Sequence, residues 1–138
     1  MVFHDFQTQV TQRTVKDYKP HLYITEGLNL MGLCSYPKCA KFEKKVLIRR
    51  GFGTWDINKE ILNVLCPICK VKIERSHIYT FGMYQSKYVI EGTRKNGEHF
   101  MSEGECSSGK LITFEKERLH YFGDFDRWAV LKIKAEKL

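Results

Sequence analysis

The chain has 138 residues, of which 43% are hydrophobic and 13% aromatic, with ten glycines and three prolines. That length and content suit one domain with a true core, and exclude wholesale disorder and low-complexity or collagen-like chains. The formal charge of +7 points to acidic protein surfaces, nucleic acid or anionic lipid as the kinds of contact to consider. In chain order, residues 1–20 are polar and without period. They read as an extended arm that takes order only from a partner. Leu22, Ile24, Leu28 and Leu30 mark a first strand over 21–33, and Val46, Leu47 and Ile48 a second over 44–50. Gly51-Phe52-Gly53 breaks the second strand. Residues 56–62 form a short helix with Asp56 or Thr54 as N-cap and Glu60 in its first turn. Further strands fall at 71–80 and 86–93. Asn96-Gly97 predicts a tight hairpin turn with positive φ at both residues, the return strand starting at 99–101. Residues 102–109, rich in Ser and Gly, read as a polar loop, and 111–114 as a short strand. A last strand over 128–135 carries Ala129, Leu131 and Ile133 on one face.

The five cysteines are Cys34, Cys39, Cys66, Cys69 and Cys106. Four of them form two close pairs, and the second pair, Cys66-Pro67-Ile68-Cys69, has the form of a metal knuckle. Two intervening residues let the backbone curl so that both thiolates face one ion, and the proline pre-sets that turn. The first pair spans four intervening residues, and twenty-six residues separate Cys39 from Cys66. That interval has room for a strand and short helix that bring the pairs together. Four thiolates close a tetrahedron around one structural Zn2+ and leave no open position. Disulfides would need an oxidising compartment, and no basic start followed by an apolar stretch marks a secretory signal. Free core cysteines and an iron–sulfur cluster are the other readings. The five histidines are isolated, and no H-x-E or H-E-x-x-H element accompanies the cysteines, so a catalytic metal and an enzyme are not expected. Cys106 has no partner near in sequence.

The positive charge is uneven. Residues 31–50 hold Lys38, Lys41, Lys44, Lys45, Arg49 and Arg50 against Glu43 alone, whereas 101–138 are neutral. These six residues are the candidate partner-binding patch. No run of residues is long and apolar enough for a membrane span. The expected address is therefore intracellular and cytoplasmic.

The middle of the chain resembles a family of small zinc-ribbon-like proteins, mainly from single-celled eukaryotes. The resemblance rests on Gly27-Leu28-Asn29, Gly32, Cys34, Cys39, Gly51-Phe52-Gly53, Asp56, Cys66-Pro67-Ile68-Cys69, Tyr88 and Glu91-Gly92. Members often carry a cysteine where this chain has Ser86, and some carry the module beside a ubiquitin-like segment. The resemblance implies a zinc-ribbon-like β module and no known enzyme activity.

The expected fold is mainly β with one short helix: a four-cysteine zinc-ribbon-like module with a β C-terminal extension. Its plan is an arm at 1–20 and one zinc-stabilised domain at 21–138, with a ribbon core at 27–92 and the extension at 93–138. The expected function is non-enzymatic. The chain would be a zinc-stabilised protein-binding module, a small accessory subunit of a larger eukaryotic assembly, meeting an acidic surface such as a cytoskeletal polymer. No membrane or small-molecule substrate is expected. A nucleic-acid-binding zinc ribbon is the second reading, with Tyr36, Phe42, Phe52 and Trp55 as stacking faces beside the patch. A ubiquitin-pathway adaptor, from the family neighbourhood, is the third.

Overall fold

A computed structural model describes residues 3–5, 11–14, 24–113 and 128–138, with side chains at 24–107 and 128–138. The fold is mainly strands, as the sequence predicts. Its spine is one long antiparallel hairpin, β8 (Ile78–Arg94) and β9 (His99–Thr113). Each outer edge of that hairpin is shared by two strands. On β8, β3 (Gly27–Leu33) pairs with residues 78–84, and β10 (Trp128–Lys137) pairs with 86–94. On β9, β1 (Phe3–Asp5) runs parallel to 99–101, and β2 (Thr11–Thr14) runs antiparallel to 110–113. β4 (Lys45–Gly51) flanks β3, and β5 (Gly53–Asp56) flanks β10, completing an eight-stranded sheet. A separate two-stranded ribbon, β6 (Val64–Leu65) and β7 (Lys72–Ile73), follows the helix α1 (Ile57–Glu60).

The handover from β3 to β10 happens at a bulge. Gln85 has φ 47, and the β8–β9 register shifts between Tyr84 and Ser86. The extra residue changes the parity of β8. Phe81 and Met83 face the core before it, and Tyr88 and Ile90 after it. The strand predicted at 71–80 is broken up, with 72–73 in β7, 75–77 in a 3₁₀ turn and only 78–80 in β8, whereas the one predicted at 86–93 is the continuation of β8 past the bulge.

The core lies between one face of this sheet and the segment from α1 to β7. Leu28, Leu30, Val46, Ile48, Ile57, Ile61, Val64, Ile73, Phe81, Ile90, Phe100, Trp128, Leu131 and Ile133 belong to one buried cluster. On β9, residues 102–109 form strand where the composition predicts a loop. The reason is steric. Gly104 lies opposite Tyr88, and Ser102 opposite Ile90, while Gly92 lies opposite Phe100. Small residues on one strand leave room for large ones on the next, so the inward face of β9 is small and polar in composition yet buried at Ser102 and Cys106.

Three further differences have local causes. The 95–98 turn has positive φ only at Gly97, at 93°. The Gly97 N–H donates to the Arg94 carbonyl at 2.9 Å, and Asn96 Oδ1 accepts from the Glu98 N–H at 3.0 Å. This is a three-residue loop closed by a left-handed glycine, with the Arg94 N–H donating to the Glu98 carbonyl at 2.8 Å across its base. In β10, a register shift between Trp128 and Val130 reverses the alternation. Trp128, Leu131, Ile133 and Ala135 are buried, and Ala129 is exposed. In the stretch read as an arm, 3–5 and 11–14 are strands on β9; the rest of it lies outside the described residues. The division at 92/93 between ribbon core and extension falls inside β8, so both parts share one sheet.

Candidate metal centre

Two hairpin ends meet at the cysteines. The first is the connection between β3 and β4. The Glu43 N–H donates to the Cys34 carbonyl at 2.8 Å, and the Cys34 N–H donates to the Lys44 carbonyl at 3.3 Å, closing a loop over residues 34–44. Within it, the Cys39 N–H donates to the Tyr36 carbonyl at 3.0 Å, and the Lys41 N–H donates to Cys39 Sγ at 3.3 Å. Glu43 takes φ 60 to turn the chain into β4. The second end is the connection between β6 and β7. The Cys66 N–H donates to the Val71 carbonyl at 3.0 Å, the Lys70 N–H donates to the Cys66 carbonyl at 2.9 Å, and the Ile68 N–H donates to Cys66 Sγ at 3.4 Å. Lys70 takes φ 63. In each loop the first or second cysteine sulfur accepts an N–H from two residues on, the arrangement that stabilises a thiolate.

The four sulfurs of Cys34, Cys39, Cys66 and Cys69 all lie within 4.8 Å of one another. Cys34 Sγ and Cys69 Sγ, from different hairpins, are 3.7 Å apart. Ligand bonds of ~2.3 Å in a tetrahedron give sulfur–sulfur edges of ~3.8 Å, so the donor set fits one thiophilic ion. It leaves no space for a multi-iron cluster between the sulfurs. None of the five cysteines forms a disulfide; Cys34, Cys66 and Cys106 are buried and Cys39 and Cys69 half-buried. Burial pushes the Cys34 thiol up to about 12, opposed by a hydrogen bond from the Tyr36 backbone and reinforced by contacts with the Cys66, Cys39 and Cys69 side chains. Without an ion the Cys34 sulfur therefore keeps its proton at neutral pH, and metal binding must displace it.

One supporting pair was not legible in the sequence. Ser35 Oγ lies 2.6 Å from His77 Nδ1 and accepts the Glu74 N–H at 3.3 Å. It ties the first loop to the 3₁₀ turn Arg75–His77 that follows the second. His77 reads as isolated in sequence because its partner stands 42 positions away; only the position of Ser35 beside a ligand hinted at a role.

The patch residues separate. Lys38, Lys41 and Lys44 sit on the first cysteine loop, next to the cluster. On β4, Val46 and Ile48 enter the core, and Lys45 and Arg49 alternate onto the other face. Lys45 Nζ lies 5.9 Å from the Tyr79 ring centroid. Arg49 stands roughly 13 Å further along the strand, four residues at ~3.3 Å each. Arg50 turns inward: it pairs with Glu60 at 2.9 Å and donates to the Asn63 carbonyl at 3.3 Å. Of the proposed stacking aromatics, Tyr36 and Trp55 pack against the core and Phe42 is half-buried, so Phe52 alone of the four is exposed. Among the described residues, no helix is long and apolar enough to cross a membrane.

No family model, no curated protein and no solved structure matches the chain.

Proposed function

We propose that this chain is a non-enzymatic β module that holds one structural zinc ion and binds an acidic surface of a protein partner through the first cysteine loop. The observation that carries the reading is the four-sulfur cluster where two hairpin ends meet. A divalent ion held there by Cys34, Cys39, Cys66 and Cys69 would cross-link the two hairpins. Four protein thiolates would fill its coordination, leaving no position for a substrate or an activated water. The resemblance of residues 27–92 to a zinc-ribbon-like family agrees with this use. Lys38 and Lys44 are exposed on the same loop, which supports an acidic partner. Among aromatics named for stacking, the exposure of Phe52 alone weighs against a nucleic-acid platform.

Elemental analysis of protein purified without added metal tests the first half, with one zinc per chain expected. Iron or no metal would overturn the assignment. For the second half, Lys38→Glu with Lys44→Glu should abolish co-purification of the partner while the zinc stays bound, since exposed charges contribute little to stability. Unchanged co-purification would show the lysines to be solvated surface.

A further inference from the structure

The second cysteine loop carries an apolar surface that its own fold does not use. Four of the eight large apolar side chains exposed among the described residues fall within ten positions: Leu62, Leu65, Ile68 and Val71. Scattered exposed apolar residues are ordinary, but a contiguous set marks a contact surface. Here the local fold is already accounted for. Val64 and Ile73, a cross-strand pair, anchor β6 and β7 in the core, and the turn is held by the backbone bonds of Cys66, the Ile68 N–H to its sulfur and the left-handed Lys70. Leu65 lies opposite Lys72 on the outer face of that ribbon, and Ile68 and Val71 flank the turn at its end.

The exposed charge near these side chains is mainly positive, with Glu74, directly after Ile73, as the exposed acid on the second hairpin and Glu43 on the first. Lys59, Lys70 and Lys72 are exposed and make no ion pair among the described residues, while the nearby Glu60 is taken by Arg50. The cysteine cluster sets Cys34 and Cys39 against Cys66 and Cys69. It therefore holds the exposed Lys38 and Lys44 of the first loop at the same end of the molecule. The exposures of Leu65, Ile68 and Val71 are 49%, 38% and 39%. These side chains lie half-sunk along the surface. Such a strip suits side-chain contacts with a protein segment better than insertion into a bilayer to a depth of ~5–10 Å. It holds no aromatic ring on which a base could stack.

We infer that Leu65, Ile68 and Val71, with Lys70 and Lys72 beside them, form a docking strip for an acidic, amphipathic segment of a protein partner. This deepens the reading of an acidic protein partner and rests on it. Large apolar side chains of the segment cover the strip, and its carboxylates meet the lysines beside it.

The test uses the zinc-loaded full chain and fluorescein-labelled synthetic peptides. In one, Glu and Leu recur at helical spacing; in the second, Ser replaces Leu; in the third, Lys replaces Glu. The Glu/Leu peptide should bind, and each of the other two should bind at least about tenfold more weakly, ~1.4 kcal/mol. Leu65→Ser with Ile68→Ser and Val71→Ser should weaken the Glu/Leu peptide by a similar factor, with zinc content unchanged. Lys70→Glu with Lys72→Glu should do the same through charge and guards against a misfolded triple variant. Unchanged binding in both variants would overturn the inference. So would tighter binding to phosphatidylserine vesicles or to a single-stranded oligonucleotide than to the peptide. If Lys38→Glu with Lys44→Glu abolishes peptide binding while both strip variants bind normally, the acidic-partner reading stands and the strip fails. Protein that carries no zinc defeats the reading itself.

Discussion

At the scale of single residues, Gly92 is packed closely under Trp128. A Cβ at Gly92 would come within 2.4 Å of Trp128 Cζ3 and 2.8 Å of its Cε3. The indole is fully buried and cannot swing away. It meets Phe100 edge-on at 5.2 Å, and the Arg94 guanidinium lies 4.9 Å from its ring centroid. Gly92→Ala should therefore cost about 1–3 kcal/mol, as overpacking of a filled core does, read as a lowered midpoint in chemical denaturation. Gln85 is constrained differently. Its φ of 47 is tolerable for an unbranched side chain and poor for a β-branched one. Gln85→Gly should be within about 0.5 kcal/mol of neutral, because relief of the left-handed backbone is offset by the entropy of the unfolded chain. Gln85→Val should be destabilising by about 1–2 kcal/mol. Equal effects of the two substitutions in thermal unfolding would mean the bulge is relaxed.

At the scale of elements, the β6–β7 ribbon would depend on the proposed ion more than any strand of the main sheet. It has two residue pairs, Val64 with Ile73 and Leu65 with Lys72, where β8 is paired along both edges. Such a short ribbon cannot offset its own ordering entropy. Cys69→Ser should release the metal and leave residues 64–73 unprotected in hydrogen exchange. The loss draws on an apparent ion-binding free energy on the order of 10 kcal/mol. Protection at 64–73 in a metal-free Cys69→Ser protein would show that packing alone holds the ribbon. The helix α1 is also too short to stand alone. It is fixed by Asp56 Oδ1, which accepts the Asn58 N–H at 3.1 Å, and by Asn58 Nδ2, which donates to the Trp128 carbonyl at 3.0 Å.

At the scale of the whole molecule, the cluster joins two parts of one chain whose ligands lie 35 positions apart at Cys34 and Cys69. Each ligand sulfur must lose its proton to bind the ion, so affinity falls as pH falls. The burial that holds the Cys34 thiol up to about 12 acts in the same direction. If the proposed zinc is bound, acidification from neutral pH should release it cooperatively, followed with a chromophoric chelator, and the two cysteine loops should lose their fixed relation in the same range. Release spread over several independent steps would argue against a single four-ligand ion.

The cysteine spacing, the basic loop beside it and the β-rich pattern were legible from the sequence alone. Each depends on local chemistry: ligand spacing, charge density and alternation within a strand. Asp56 as a helix cap was legible for the same reason. What lies between distant residues was not. The strand at 102–109 looks like a loop because its inward residues are small, and their smallness has meaning only opposite Tyr88 and Ile90. Ala129 fell on the wrong face because the shift after Trp128 is set by pairing with β8, not by the β10 sequence. Arg50 looked like a member of the patch until folding brought Glu60 and Asn63 beside it. The apolar strip was invisible in sequence, because Leu65 and Val71 look like core residues there. Tertiary structure decided the exposure of Leu65 by giving the inward positions of a two-stranded ribbon to Val64 and Ile73, so that strand alternation turned Leu65 outward, while Val71 lies in the turn before β7.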